Sequence, residues 1–109
     1  DMLIVRGVNV FPTQIEEQIL RDPRLTGNYQ IMLTRDGHLD NVEIRCETQH
    51  ELAGKLAAAD VQQIAKELQH RIKTIVGIST KITVMEFDSI PRTQVGKARR
   101  VLDERPKQI

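Results

Sequence analysis

Residues 89–101 read Ser-Ile-Pro-Arg-Thr-Gln-Val-Gly-Lys-Ala-Arg-Arg-Val, and within that stretch Lys97 is the side chain best suited to chemistry. Its ammonium is a compact point charge on a long stem, the kind of group that can meet negative charge developing on a phosphate. Gly96, just before it, lets the backbone approach a ligand closely, and Pro91 fixes the entry to the stretch. Arg92, Arg99 and Arg100 are further candidates for phosphate contacts, although surface arginines commonly do no more than solvate a face. On composition alone, the same residues read as a solvated basic tail. A second glycine-bearing segment stands near the start, where Arg6-Gly7 separates the β-prone runs 3–5 and 8–11. Read by itself, Gly7 marks a tight bend or a bulge.

The elements that must hold these segments follow from the pattern of apolar residues. A small hairpin or kinked strand opens the chain. Thr13 and Glu16 have capping-box spacing after Pro12, and Ile15, Ile19 and Leu20 share one helical face, which predicts a helix over 13–21 that stops before Pro23. Strands are expected over 29–34 and 41–48, joined by a turn at Asp36-Gly37. In the second of these Val42, Ile44 and Cys46 alternate with Glu43, Arg45 and Glu47, giving one buried and one solvated face. The alanine-rich stretch 51–59 reads as a loop. Asp60 is expected to cap a long helix whose apolar positions run from Val61 to Val76, and Gly77 to end it. Residues 80–87 alternate and are β-branched, predicting a last strand before a basic C-terminal arm. The order is βαββαβ after an opening hairpin. It predicts an α+β fold of the split βαβ, ferredoxin-like kind, a small antiparallel sheet with two helices on one face.

Composition narrows the function classes. The 109 residues suffice for one core and not two, so 1–109 is read as a single domain. Sixteen basic and fifteen acidic residues leave a formal charge of +1, so no global field attracts nucleic acid or an anionic membrane. The lone Cys46 excludes an internal disulfide and suits a reducing, cytoplasmic setting, while His38, His50 and His70 have no metal-ligand spacing. No apolar run approaches the roughly 20 residues of a membrane helix. The chain opens directly on a strand-like run, as a piece of a longer chain would.

Taken together, the two glycine-bearing segments resemble the carboxy-terminal domain of the adenylate-forming (AMP-binding) acyl-CoA ligases, in particular the phenylacetate-CoA ligase branch. The opening Arg6-Gly7-Val8-Asn9-Val10-Phe11-Pro12 resembles the motif that follows the interdomain hinge in that branch. Ile90-Pro91-Arg92-Thr93-Gln94-Val95-Gly96-Lys97 resembles the family's last motif, which carries the adenylation lysine. The resemblance implies a two-step reaction: a carboxylate attacks the α-phosphate of ATP to give an acyl-adenylate and pyrophosphate, and the thiol of coenzyme A then displaces AMP. It also implies that the small domain rotates between the steps. Lys97 would serve adenylation. Gly7, with Arg6 and Val8, would line the channel for the pantetheine arm of coenzyme A.

The same resemblance implies what this chain lacks. The hinge residue and the ribose-binding arginine would lie just before Asp1. The phosphate loop and the adenine and acyl pockets would belong to a large N-terminal adenylation domain, the principal partner. ATP and coenzyme A would be substrates, with Mg²⁺ accompanying ATP and held mainly by that other domain. None of these would bind tightly here, and this portion alone would not be active. The acid would be aryl or aryl-acetic, and a homodimer of the full-length enzyme is compatible with the resemblance. Two other classes compete. A stand-alone βαββαβ regulatory module would bind a small metabolite, but it leaves 91–97 without a purpose. A single-stranded RNA binder would stack bases on aromatic strand residues, whereas Phe11, Tyr29 and Phe87 are scattered.

Overall fold

The computed structural model describes residues 2–91 and 100–106. Strands β1 (Leu3–Val5) and β2 (Val8–Val10) form the opening hairpin. Helix α1 (Pro12–Leu20) follows, then β3 (Leu25–Asp36) and β4 (Leu39–Thr48), a single 3-10 turn (His50–Leu52), α2 (Ala58–Val76), β5 (Lys81–Met85) and β6 (Val101–Asp103). The 3-10 turn overlaps the start of the alanine-rich stretch expected as loop, and Ala58 and Ala59 at its end already belong to α2. α1 starts on Pro12, a residue preorganised for a first helical position. Its start is secured by Gln14, whose Oε1 accepts the N–H of Phe11 at 3.4 Å, and not by the Thr13–Glu16 spacing. Asp60 likewise acts from inside α2, at its third residue, accepting the N–H of Ala57 at 2.9 Å. Gly77 ends that helix with φ 89°.

The α+β class, the two helices and the opening hairpin match the expectation. Strand direction differs: the main sheet, in the order β5-β4-β3-β6, is mixed, and only β3 and β4 are antiparallel. α2 carries the chain back along the sheet, so β5 runs parallel to β4, as a strand reached through a helix can. β6, absent from the expected order, runs parallel to β3 on the other edge, Val101 beside Ile31. The basic stretch therefore lies between two elements of the sheet.

One contiguous core joins the layers. Ile31 and Leu33 of β3 stand opposite Ile44 and Val42 of β4. Against that face pack Ile15 and Ile19 of α1, Ile64, Leu68 and Ile72 of α2, and Val5 and Val10 of the hairpin. Full burial of each such side chain contributes about 1.5–3 kcal/mol. The opposite face of β4 departs from the expected solvation at one position, Glu47, which is fully buried. Its carboxylate accepts hydrogen bonds from Thr26 Oγ1, Asn28 Nδ2 and the backbone N–H of Ser89, so the chain leaving β5 crosses over it. Thr26 and Asn28 are available because the β3–β4 register shifts between Leu25 and Tyr29.

Candidate functional site

Val5 and Val8 pair across a two-residue connection in which both central residues have positive φ, Arg6 at 51° and Gly7 at 74°. That is a type I′ turn, whose backbone twist suits a tight hairpin and which favours Asn-Gly or Gly-Gly. Gly7 satisfies it at no steric cost, while an arginine at such a φ is strained. The turn is exposed, and nothing lies within 4 Å of where a Cβ on Gly7 would sit. Val8, half-buried, packs against the core and anchors the base of the turn.

The strained arginine is held from several sides. Arg6 Nε donates to the backbone carbonyl of Asp40 at 2.8 Å, and its Nη1 donates to the carbonyl of Ser79 at 3.0 Å. The backbone N–H of Arg6 donates to Asp40 Oδ2 at 3.3 Å. Asp40, 8% exposed at the start of β4, also accepts Arg35 Nε on Oδ1 at 2.7 Å and Arg105 Nη1 on Oδ2 at 3.1 Å. The side-chain hydrogen bond from Arg35 is the main reason its carboxyl stays below the ordinary 3.8, with the N–H of Arg6 and the charges of Arg35 and Arg105 adding to it against partial burial. Arg6 further borders a cleft of about 820 Å³ whose rim includes Lys66, Gln69 and Lys81.

Lys97, Arg92 and Arg99 lie outside the described residues. Both sides of that segment are described. Before it, Ile90 is buried and Ser89 donates its N–H to Glu47 at 3.2 Å. After it, Arg100 Nη1 donates to Glu16 Oε1 at 2.7 Å and to the carbonyl of Gly27 at 3.3 Å, and its guanidinium lies 4.7 Å from the centre of the Tyr29 ring. Arg100 is thus committed to α1 and β3. Among the described residues no three His, Cys, Asp or Glu side chains gather as a metal site, and no helix is long and apolar enough to cross a membrane. Sequence reading missed Asp40 and Glu47. Asp40 fell between the two expected strands and Glu47 in the solvated half of a strand alternation, and each has a partner far along the chain, 34 and 42 positions away.

An exposed glycine turn on a two-helix α+β domain, followed by a basic stretch set between β5 and β6, matches a known architecture. The chain belongs to the AMP-binding enzyme C-terminal domain family, whose model matches residues 7–105. Its relatives are ligases. It is 45% identical over 99% of its length to phenylacetate-coenzyme A ligase of Aromatoleum evansii, and 46% identical over 96% to that of Escherichia coli K12. It spans 24% of the length of each of these two enzymes. A solved domain of phenylacetate-coenzyme A ligase from Bacteroides vulgatus superposes with a TM-score of 0.87 at 25% identity, covering 99% of this chain and 96% of that one. The 2-hydroxyisobutyryl-CoA ligase solved with 2-HIB-AMP and CoA in its thioesterification state matches with a TM-score of 0.85 at 32% identity, over 96% of this chain and 21% of that one.

Proposed function

We propose that this chain is the moving small domain of an AMP-forming acid–thiol ligase that activates an aryl or aryl-acetic acid such as phenylacetate. In the first step an oxygen of the substrate carboxylate bonds to the α-phosphorus of ATP as the bond to pyrophosphate breaks. Lys97 bridges the two reactants there, its fixed positive charge matching the charge that spreads over the phosphate oxygens without any proton transfer. Mg²⁺ accompanies ATP on the large domain. In the second step the sulfur of coenzyme A bonds to the acyl carbon and AMP leaves. The Arg6–Gly7 turn walls the passage for the pantetheine arm, with Val8 fixing its base. Arg92 and Arg99 are assigned to phosphate contacts on either side of Lys97. Arg100, paired with Glu16, secures the end of the stretch instead. The domain works against the large adenylation domain of the same polypeptide.

The observation that carries this reading is the open face over Gly7, in a turn that projects into solvent within a chain of this family. A thin ligand arm can lie against bare backbone there. The two half-reactions of the full-length ligase test it. Lys97→Ala is expected to slow acid-dependent pyrophosphate release by on the order of 100-fold or more. The same variant should spare thioester formation from supplied acyl-adenylate. Gly7→Leu is expected to give the reverse pattern. Equal loss in both half-reactions for both variants would overturn the division of labour.

A further inference from the structure

The hairpin that carries Gly7 is not part of the main sheet. Among the described residues β1 and β2 form their own two-stranded sheet, with no ladder hydrogen bonds to the four-stranded one. Val5 and Val10 bury the hairpin's inner side in the core, but apolar packing alone is tolerant of small sliding. Directional bonds must set where the turn points. Asp40 collects them: its side chain and carbonyl receive Arg6 from within the turn, and the same carboxylate receives Arg105 from beyond β6. Arg105 Nη1 also donates to the carbonyl of Ile4 at 2.7 Å, so β1 is tied to the same carboxylate. Arg35, opposite Asp40 in the β3–β4 register, holds the remaining oxygen.

The identity of residue 6 points the same way. Position one of a type I′ turn favours Asn, Asp or Gly, and a long side chain there is strained at φ 51°. An arginine in that place makes sense through what its side chain reaches, namely the carbonyls of Asp40 and Ser79. Strain in the turn is thereby offset by a latch onto the body of the domain.

We propose that Asp40 is a positioning residue for thioester formation, fixing the Arg6–Gly7 turn at the coenzyme A passage through its latch with Arg6 and Arg105. The inference rests on the assignment of Gly7 to that passage. It is tested in the full-length ligase with Asp40→Asn, which keeps the shape and removes the charge, and with Arg105→Gln, which removes the cation that joins the Asp40 carboxylate to β1. Both are expected to raise the KM for coenzyme A and slow thioester formation by about tenfold, since sub-ångström misplacement near the reacting groups has effects of that order. Pyrophosphate release and the KM for ATP should stay within about twofold of the parent. Because both act through one latch, the double variant should be no worse than the weaker single variant, a non-additivity that a general loss of stability would not produce.

Asp40→Asn that leaves the coenzyme A step unchanged, or slows both half-reactions alike, overturns the inference, and so does strict additivity with Arg105→Gln. Should Asp40→Asn not fold, Arg105→Gln alone carries the same expectation. Gly7→Leu separates the two readings. If it blocks the thioester step while Asp40→Asn does not, only the role of Asp40 falls, and if Gly7→Leu spares that step, the passage assignment falls with it.

Discussion

Asp22 shows how far a single carboxylate can be drawn into the body of the domain when a guanidinium follows it. Only 4% exposed, it accepts Arg24 through both oxygens, Nε to Oδ1 at 2.8 Å and Nη2 to Oδ2 at 2.7 Å, and Arg24 continues to Glu67 of α2 at 2.7 Å. Burial alone would push its carboxyl upward. The hydrogen bonds from the Arg24 side chain and backbone outweigh that, and the carboxyl sits below its ordinary 3.8. Asp22→Ala leaves Arg24 with Glu67 alone and takes the nearby carboxylate from the partly buried Arg71, and it is expected to destabilise by about 2 kcal/mol. That lies under the range for wholly buried pairs because the Arg24 side chain keeps 35% of its exposure. A chemical-denaturation midpoint reads it directly. At this scale the sequence was legible where structure is local: Gly7, read as a tight bend between two β-prone runs, sits in one at φ 74°. Asp22, Asp40 and Glu47 draw their meaning from partners that chain order does not reveal.

Among the elements, α2 was the most readable, because its apolar residues recur at three and four positions over five turns and bury one stripe. Leu68 lies at the middle of that stripe with no exposure, so Leu68→Ala is expected to cost about 3 kcal/mol through the cavity left between helix and sheet. Thermal melting of the variant domain checks this. Caps were less readable than cores, since Gln14 and Asp60 serve from inside their helices, where polar residues carry no distinctive pattern. β6 escaped notice for a different reason. Three residues following a run of arginines have no period to display, and the strand exists only because β3 offers an unpaired edge with Ile31 and Leu33 exchanging backbone bonds with Arg100 and Glu104.

Across the whole molecule, the carboxyls of Asp22, Asp40, Glu43 and Asp103 are all held below their ordinary values. A carboxyl depressed in the folded state contributes stability that is present above its unfolded value and lost as pH falls through the folded one. The melting temperature is therefore expected to be flat from neutrality down to about pH 4 and to fall below it, in the window set by unfolded carboxyls near 4. A maximum at acidic pH would contradict the ion-pair assignments. The fold class was legible as a whole because periodicity dictates helices and strands, whereas the parallel placement of β5 and β6 depends on how the connections pass, which composition does not encode.

The last consequence concerns Arg100. Clamped by Glu16 and stacked on Tyr29, it moors the chain just ahead of β6, so the strand on that edge of the sheet is fastened to α1 as well as to β3.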